Sequence, residues 1–145
     1  ISYILSAEGQ AVVSENGYIP LDDAPAYAGK QVSGKIVVAG SSSVTPVMEK
    51  LKEAYAALNP NAEIEIQQSD STTGMQSAID GVCDIGMASR ALKDSELEAG
   101  LTGTTIAMDG IAIIVNPANP VESMTVEEIE QIFTGAVTTW EGFQK

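Results

Sequence analysis

The feature that most constrains this chain is a unit that occurs twice: a short β-branched run, a turn of small hydroxyl residues, then an amphipathic helix. In the first copy the segment KIVVA (35–39) enters GSSSVTP (40–46) and continues into an apolar stripe of Val47, Leu51, Ala54, Tyr55 and Leu58. In the second, EIEIQ (63–67) enters SDSTTG (69–74), and Met75, Ala78, Ile79 and Val82 follow. Period two gives way to period 3.6 across each turn. Successive strand–turn–helix units place strands side by side in parallel, because each helix carries the chain back to the start of the sheet. The expected class is α/β, a central, mostly parallel sheet flanked by helices.

The local signals fix approximate boundaries. Thr45 is the expected cap of the first of these helices, with Pro46 at its first position, where a missing N–H costs nothing. Asn59-Pro60 ends it. Thr73 followed by Gln76 has the capping-box spacing. Asp84–Met87 reads as a third short strand and Ser95–Ala99 as a helical turn. Thr104–Met108 and Ile111–Val115 read as further strands, the second an unbroken apolar run of the kind buried in a doubly covered sheet. Thr125 and Glu128 form a second capping box, opening a helix with Ile129, Ile132 and Phe133. Upstream, residues 2–16 place Tyr3, Ile4, Ala7, Ala11 and Val12 on one helical face, with Gly17 as the stop. Residues 22–34 carry Pro and Gly without periodicity and read as a linker.

Composition excludes several functions. Seven basic against twenty acidic residues leave a formal charge of −13, which opposes nucleic acid and anionic lipid. There is no histidine, the commonest general base and metal ligand, so neither a catalytic triad nor a zinc site is expected. Cys83 is single, so no internal disulfide forms, and its GVCDIG setting reads as a buried structural thiol. No apolar run approaches the roughly 20 residues of a membrane helix. The sequence begins inside a helical pattern without an initiator methionine and stops at TTWEGFQK, so it reads as a piece of a longer protein.

The turns carry the candidate site. In an open α/β sheet, ligands sit beyond the carboxyl ends of the strands. A helix start there presents unpaired N–H groups and about half a positive charge. It is a ready anion site, and serine and threonine add neutral donors. GSSSVTP is not a Walker loop, since the lysine of G-x-x-x-x-G-K-[ST] is missing. MASRAL (87–92) follows the third strand. The candidate anion donors are therefore Ser42, Ser43, Thr45, Ser71, Thr72, Ser89 and Arg90, with no catalytic residue, metal or cofactor. One arginine among hydroxyls suits an oxyanion held by hydrogen bonds.

The run GKIVVAGSSSVTPVMEKLKEAYAALNPNAEIEIQQSDSTTGMQSAIDGVCDIGMASRAL, with the later DGIAIIVNPANPVESMTVEEIEQIFTGAVTTW, resembles the phosphate-binding proteins of phosphate ABC transporters over about residues 35–142. The resemblance implies one lobe of a type II periplasmic-binding-protein fold over 35–145. It implies phosphate binding by the two hydroxyl-rich turns, carried over to Ser42, Ser43, Thr45, Ser71 and Thr72, and by the S-R pair, Ser89 and Arg90. Where this chain has Arg90, some members have an aspartate, whose carboxylate accepts the proton of hydrogen phosphate. Residues 1–21 resemble that family's C-terminal segment, which packs back onto the first lobe. Two architectures follow: a tandem protein whose junction this chain spans, or a permuted or designed single lobe joined by the 22–34 linker.

The implied role is capture of inorganic phosphate, or a similar tetrahedral oxyanion, as the solute-binding component of an ABC importer. The implied partners are the permease and a second lobe or tandem module. The implied location is extracytoplasmic, periplasmic or lipid-anchored. A linker of this length also permits a swapped dimer. The alternatives are a secreted anion-sensing or adhesion module on the same fold, or an enzyme acting on phosphate esters.

Overall fold

The computed structural model describes residues 1–143 and forms two compact units, residues 1–110 and a smaller one from 111. The first unit is built on a three-stranded parallel sheet. Its strands are β1 (Gly34–Ser41), β2 (Ala62–Ser69) and β3 (Ile85–Met87), in the order β2-β1-β3. β1 runs in register with β2 from Gly34↔Ala62 to Ser41↔Ser69, and with β3 from Val38↔Ile85 to Gly40↔Met87. Central β1 ends level with β2 and one residue beyond β3, so all three strands leave the sheet at the same end.

Four helices belong to this unit: α1 (Ala7–Glu15), α2 (Thr45–Leu58), α3 (Ser71–Ile79) and α4 (Asp94–Glu98). On one face of the sheet Val38 and Met87 pack with Met48 of α2. Alternation sends Ala39 and its register partner Gly86 to the opposite face. There α3 lies unusually close. A Cβ on Gly74 would come within 2.5 Å of the Gly40 Cα and 2.8 Å of the Ala39 carbonyl oxygen. Gly40 has φ +137°, and a Cβ there would sit 2.2 Å from the Met87 carbonyl oxygen. Only glycine fits at either point, so two glycines set how near the start of α3 comes to the exits of β1 and β3.

A second apolar cluster joins α1 to α2 through Tyr3, Val13, Val47 and Leu51, all buried. Tyr3 also meets the rings of Tyr27 and Tyr55, at centroid distances of 5.3 and 5.2 Å. The expected helix over 2–16 is shorter. Residues 2–5 form turns, and Ser6 caps α1 by accepting from the Gly9 N–H. The buried residues within α1 are Gly9, Gln10 and Val13, whereas Ala7 and Ala11 face out. The shift follows from Ser6, which starts the helix late and rotates its inward face. Gly17, at φ +83°, terminates it.

Residues 22–33 hold no regular element but are tied down. The Ala7 N–H donates to the Pro25 carbonyl, the Tyr27 N–H to Glu8 Oε2, and the Val32 N–H to the buried Asn59 Oδ1. Of the expected strand 104–108, one antiparallel bridge forms, Ile19↔Met108. Ile111–Val115 is not a strand, and Ile111 and Ile114 are 95% and 90% exposed. A strand is defined by a neighbour, and among the described residues none pairs with this run.

In the second unit α5 (Val126–Phe133) starts as expected. Thr125 accepts from the Glu128 N–H, and Glu128 accepts from the Thr125 N–H. A short 3-10 helix, Glu141–Phe143, follows. Among the described residues no helix is long and apolar enough to cross a membrane.

Candidate functional site

Ser43 lies in the turn after β1, Ser71 and Thr72 open α3 after β2, and Ser89 and Arg90 follow β3. The strand order places β1 between the other two, so the three exits are neighbours. Ser71 Oγ and Ser89 Oγ are 3.4 Å apart, and the Ser89 N–H donates to Ser71 Oγ at 3.2 Å. Arg90 Nη2 donates to Thr72 Oγ1 at 3.3 Å. Ser43, Ser89 and Arg90 line one cavity of about 980 Å³ together with residues 101–109, whereas Ser71 and Thr72 are not part of its lining.

Two candidates stand apart. The Thr45 hydroxyl donates to the Ser41 carbonyl at 3.0 Å, turned back on its own turn. Ser42 is exposed and makes no side-chain hydrogen bond among the described residues. Thr45 is also not the cap: Val44 holds that position without a side-chain hydrogen bond, and Pro46 is the second helical residue.

The two hydroxyl-rich turns are not equivalent. α2 begins uncapped, and the N–H groups of Ser43, Thr45 and Val47 find no acceptor among the described residues. Those are the orphan donors that a helix start offers to an anion. α3 is capped by its own chain. Asp70 Oδ1 accepts from the Thr72 and Thr73 N–H groups at 2.8 and 3.0 Å, and Oδ2 accepts from the Thr73 hydroxyl at 2.6 Å. These bonds, the Thr73 hydroxyl first, hold the Asp70 carboxyl below the usual carboxylate range. The expected Thr73–Gln76 box does not form, because aspartate one residue before the helix is the stronger cap. Gln76 reaches Asp80 instead.

Arg90 is committed as well. Its guanidinium grips Glu96 with two bonds, Nη2–Oε1 at 2.7 Å and Nη1–Oε2 at 2.9 Å, and Nη1 also donates to the Ala91 carbonyl. Glu96 is buried and takes a third bond from the Lys93 N–H. The Arg90 pairing is the main cause that holds the Glu96 carboxyl down to about 2.

Three contributors lie outside the expected donors. Glu96 sits six residues past Arg90, at no standard spacing. Asp70 carried a signal in its place directly before a helix. Tyr18 is remote in sequence, yet its hydroxyl donates to the Ser43 carbonyl at 2.9 Å. Among the described residues no group of three or more His, Cys, Asp or Glu could hold a metal ion.

Comparisons with known proteins agree with this architecture. Phosphate-binding protein PstS 2 of Streptococcus agalactiae is 58% identical over all 145 residues, which match 50% of its length. Phosphate-binding protein PstS 2 of Streptococcus pneumoniae is 40% identical over 142 residues, 97% of this chain and 48% of that protein. The crystal structure of a phosphate ABC transporter phosphate-binding protein from Streptococcus pneumoniae superposes with a TM-score of 0.87 at 39% identity, covering 98% of this chain and 55% of that one. A substrate-binding protein from Clostridium perfringens, solved with bound phosphate, superposes with a TM-score of 0.63 at 44% identity over 75% of this chain and 45% of its own. The chain thus spans about half the length of the relatives it matches. The PBP superfamily domain model matches residues 25–143, and with an α/β sheet whose three strand exits converge, the chain belongs to that family.

Proposed function

We propose that this chain is the lobe of a solute-binding protein that captures inorganic phosphate for an ABC importer, outside the cytoplasm and without chemical change. One observation carries the reading. The uncapped start of α2 and the hydroxyls of three adjacent strand exits meet at the edge of one parallel sheet, in a chain 58% identical to a phosphate-binding protein. The proposed contacts are the free N–H groups at the start of α2, the hydroxyls of Ser43, Ser71, Thr72 and Ser89, and the Arg90 Nε–H. Ser42 and Thr45 contribute through the backbone of the turn.

The physical case is local. A charge of −13 repels an incoming anion, but salt screens that repulsion over roughly 8–10 Å. Within that range, donors fixed by secondary structure need no reorganisation to meet an oxyanion. In the proposed organisation residues 35–145 form the lobe, 1–21 dock on it and 22–34 connect the two. The permease of the importer and the remainder of the full-length protein are the proposed partners.

Calorimetric titration of the full-length protein with phosphate, sulfate and molybdate tests the reading. Phosphate binding that weakens when Ser43 and Ser89 are replaced by alanine supports it. No heat with phosphate, or equal affinity for all three anions, rejects phosphate as the cargo.

A further inference from the structure

Arg90 has four hydrogens on its two Nη atoms, and the structure uses all four. Two go to the Glu96 oxygens, one to the Ala91 carbonyl and one to Thr72 Oγ1. Only Nε–H remains for a ligand. The positive charge is likewise met, because Glu96 is buried against it and ionised. An arginine bound in this way is poor as a direct clamp on an oxyanion.

We infer that Glu96 is a positioning residue of the site: it locks the Arg90 guanidinium, and Arg90 in turn fixes the Thr72 hydroxyl, whose hydrogen is left to donate at the start of α3. The inference rests on the phosphate reading above for its functional consequence, though not for its geometry. Thr72 Oγ1 accepts from Arg90, so the one hydrogen of that hydroxyl is left to donate elsewhere. The Thr72 N–H is already bonded to Asp70, so the backbone beneath the hydroxyl is fixed too. Glu96 is held on its own side by the Lys93 N–H at 2.8 Å, at the start of α4. A rigid line therefore runs from α4 through Glu96 and Arg90 to the first turn of α3. Each link is a directed hydrogen bond, and the two strongest are charge-assisted. The anion then meets mainly neutral donors, and the arginine reaches it through Nε–H alone.

The test uses the full-length protein and its variants E96Q, T72V and the double variant. The first readout needs no ligand: three-bond couplings to the Thr72 methyl report its rotamer. A single rotamer is expected in the parent protein and an averaged one in E96Q, with the fold intact by melting temperature. An unaveraged Thr72 in E96Q overturns the inference. The second readout is affinity for inorganic phosphate. T72V is expected to weaken it roughly tenfold and E96Q roughly fivefold, the scale of one hydrogen bond. The double variant should be no weaker than T72V alone, because Glu96 acts through Thr72. Additive losses overturn the inference. If the parent protein binds no phosphate, the proposed function fails, and the rotamer measurement still decides the positioning role.

Discussion

Gly74→Ala sets two effects of opposite sign against each other. Gly74 lies within α3, where alanine is intrinsically better than glycine by roughly 1 kcal/mol. Propensity alone therefore expects a stabilised protein. The structure opposes this. The added methyl would stand 2.5 Å from the Gly40 Cα and 2.8 Å from the Ala39 carbonyl oxygen, both backbone atoms that cannot rotate away. α3 must retreat from the sheet by about 1 Å to restore ordinary contact. Overpacking of this kind costs typically 1–3 kcal/mol, and a backbone-to-backbone clash belongs at the upper end. The net expectation is a loss of about 2 kcal/mol, or roughly 6 °C in melting temperature for a chain of this size. The retreat also carries Ser71 and Thr72 away from Ser89 and Arg90, so phosphate affinity should fall with stability. Gly81→Ala is the control. Gly81 has φ +70° with nothing within 4 Å, so it suffers left-handed strain of roughly 1 kcal/mol and no clash, far from the strand exits. Thermal melts with phosphate titrations of both variants decide the matter. A Gly74→Ala protein that melts at or above the parent would show that helix propensity wins and that the close approach of α3 to β1 is not real.

Three further outcomes are expected. Glu96 is depressed from the usual 4.5 to about 2 when folded, so the stability from its pairing with Arg90 is complete above pH 4.5 and is lost as pH falls through about 2; acid melts of E96Q should lack that part of the slope, and an identical slope would remove the pairing from the acid response. Deleting residues 1–21 removes Tyr3 and Val13 from their contacts with Val47 and Leu51, each buried apolar side chain being worth roughly 1.5–3 kcal/mol, so the truncated chain should lose cooperative melting by circular dichroism, and an unchanged melt would detach α1 from this unit. The 145-residue chain by itself should bind phosphate with a dissociation constant of around 1 mM, equivalent to about −4 kcal/mol, because an open half-site leaves its anion in high dielectric; a micromolar constant by calorimetry would mean that one lobe suffices.

The sequence by itself determined what local periodicity and turn chemistry encode. Two strand–turn–helix units, with Thr125 and Glu128 closing a capping box, follow from patterns within a few residues. So does the placing of hydroxyls where strands give way to helices. It also picks out six hydroxyl candidates, because serine and threonine at such turns are conspicuous, and Arg90 beside them. Pairwise geometry lay beyond it. Thr45 has the residue type of a cap, but serine and threonine signal caps without saying which carbonyl or N–H they reach, and here the hydroxyl goes back to Ser41. Ile111–Val115 has the pattern of a strand without being one, because an apolar run does not establish that a pairing neighbour is present. The inequality of the two turns, α2 open and α3 closed by Asp70, depends on where each helix starts, which puts Val44, without an acceptor, before α2 and Asp70 before α3. Tyr18 on Ser43 and Glu96 on Arg90 join residues that no period relates. Only the tertiary structure decided these, since hydrogen bonds are set by distances of a few tenths of an ångström and sequence spacing fixes distance only within one helix or strand.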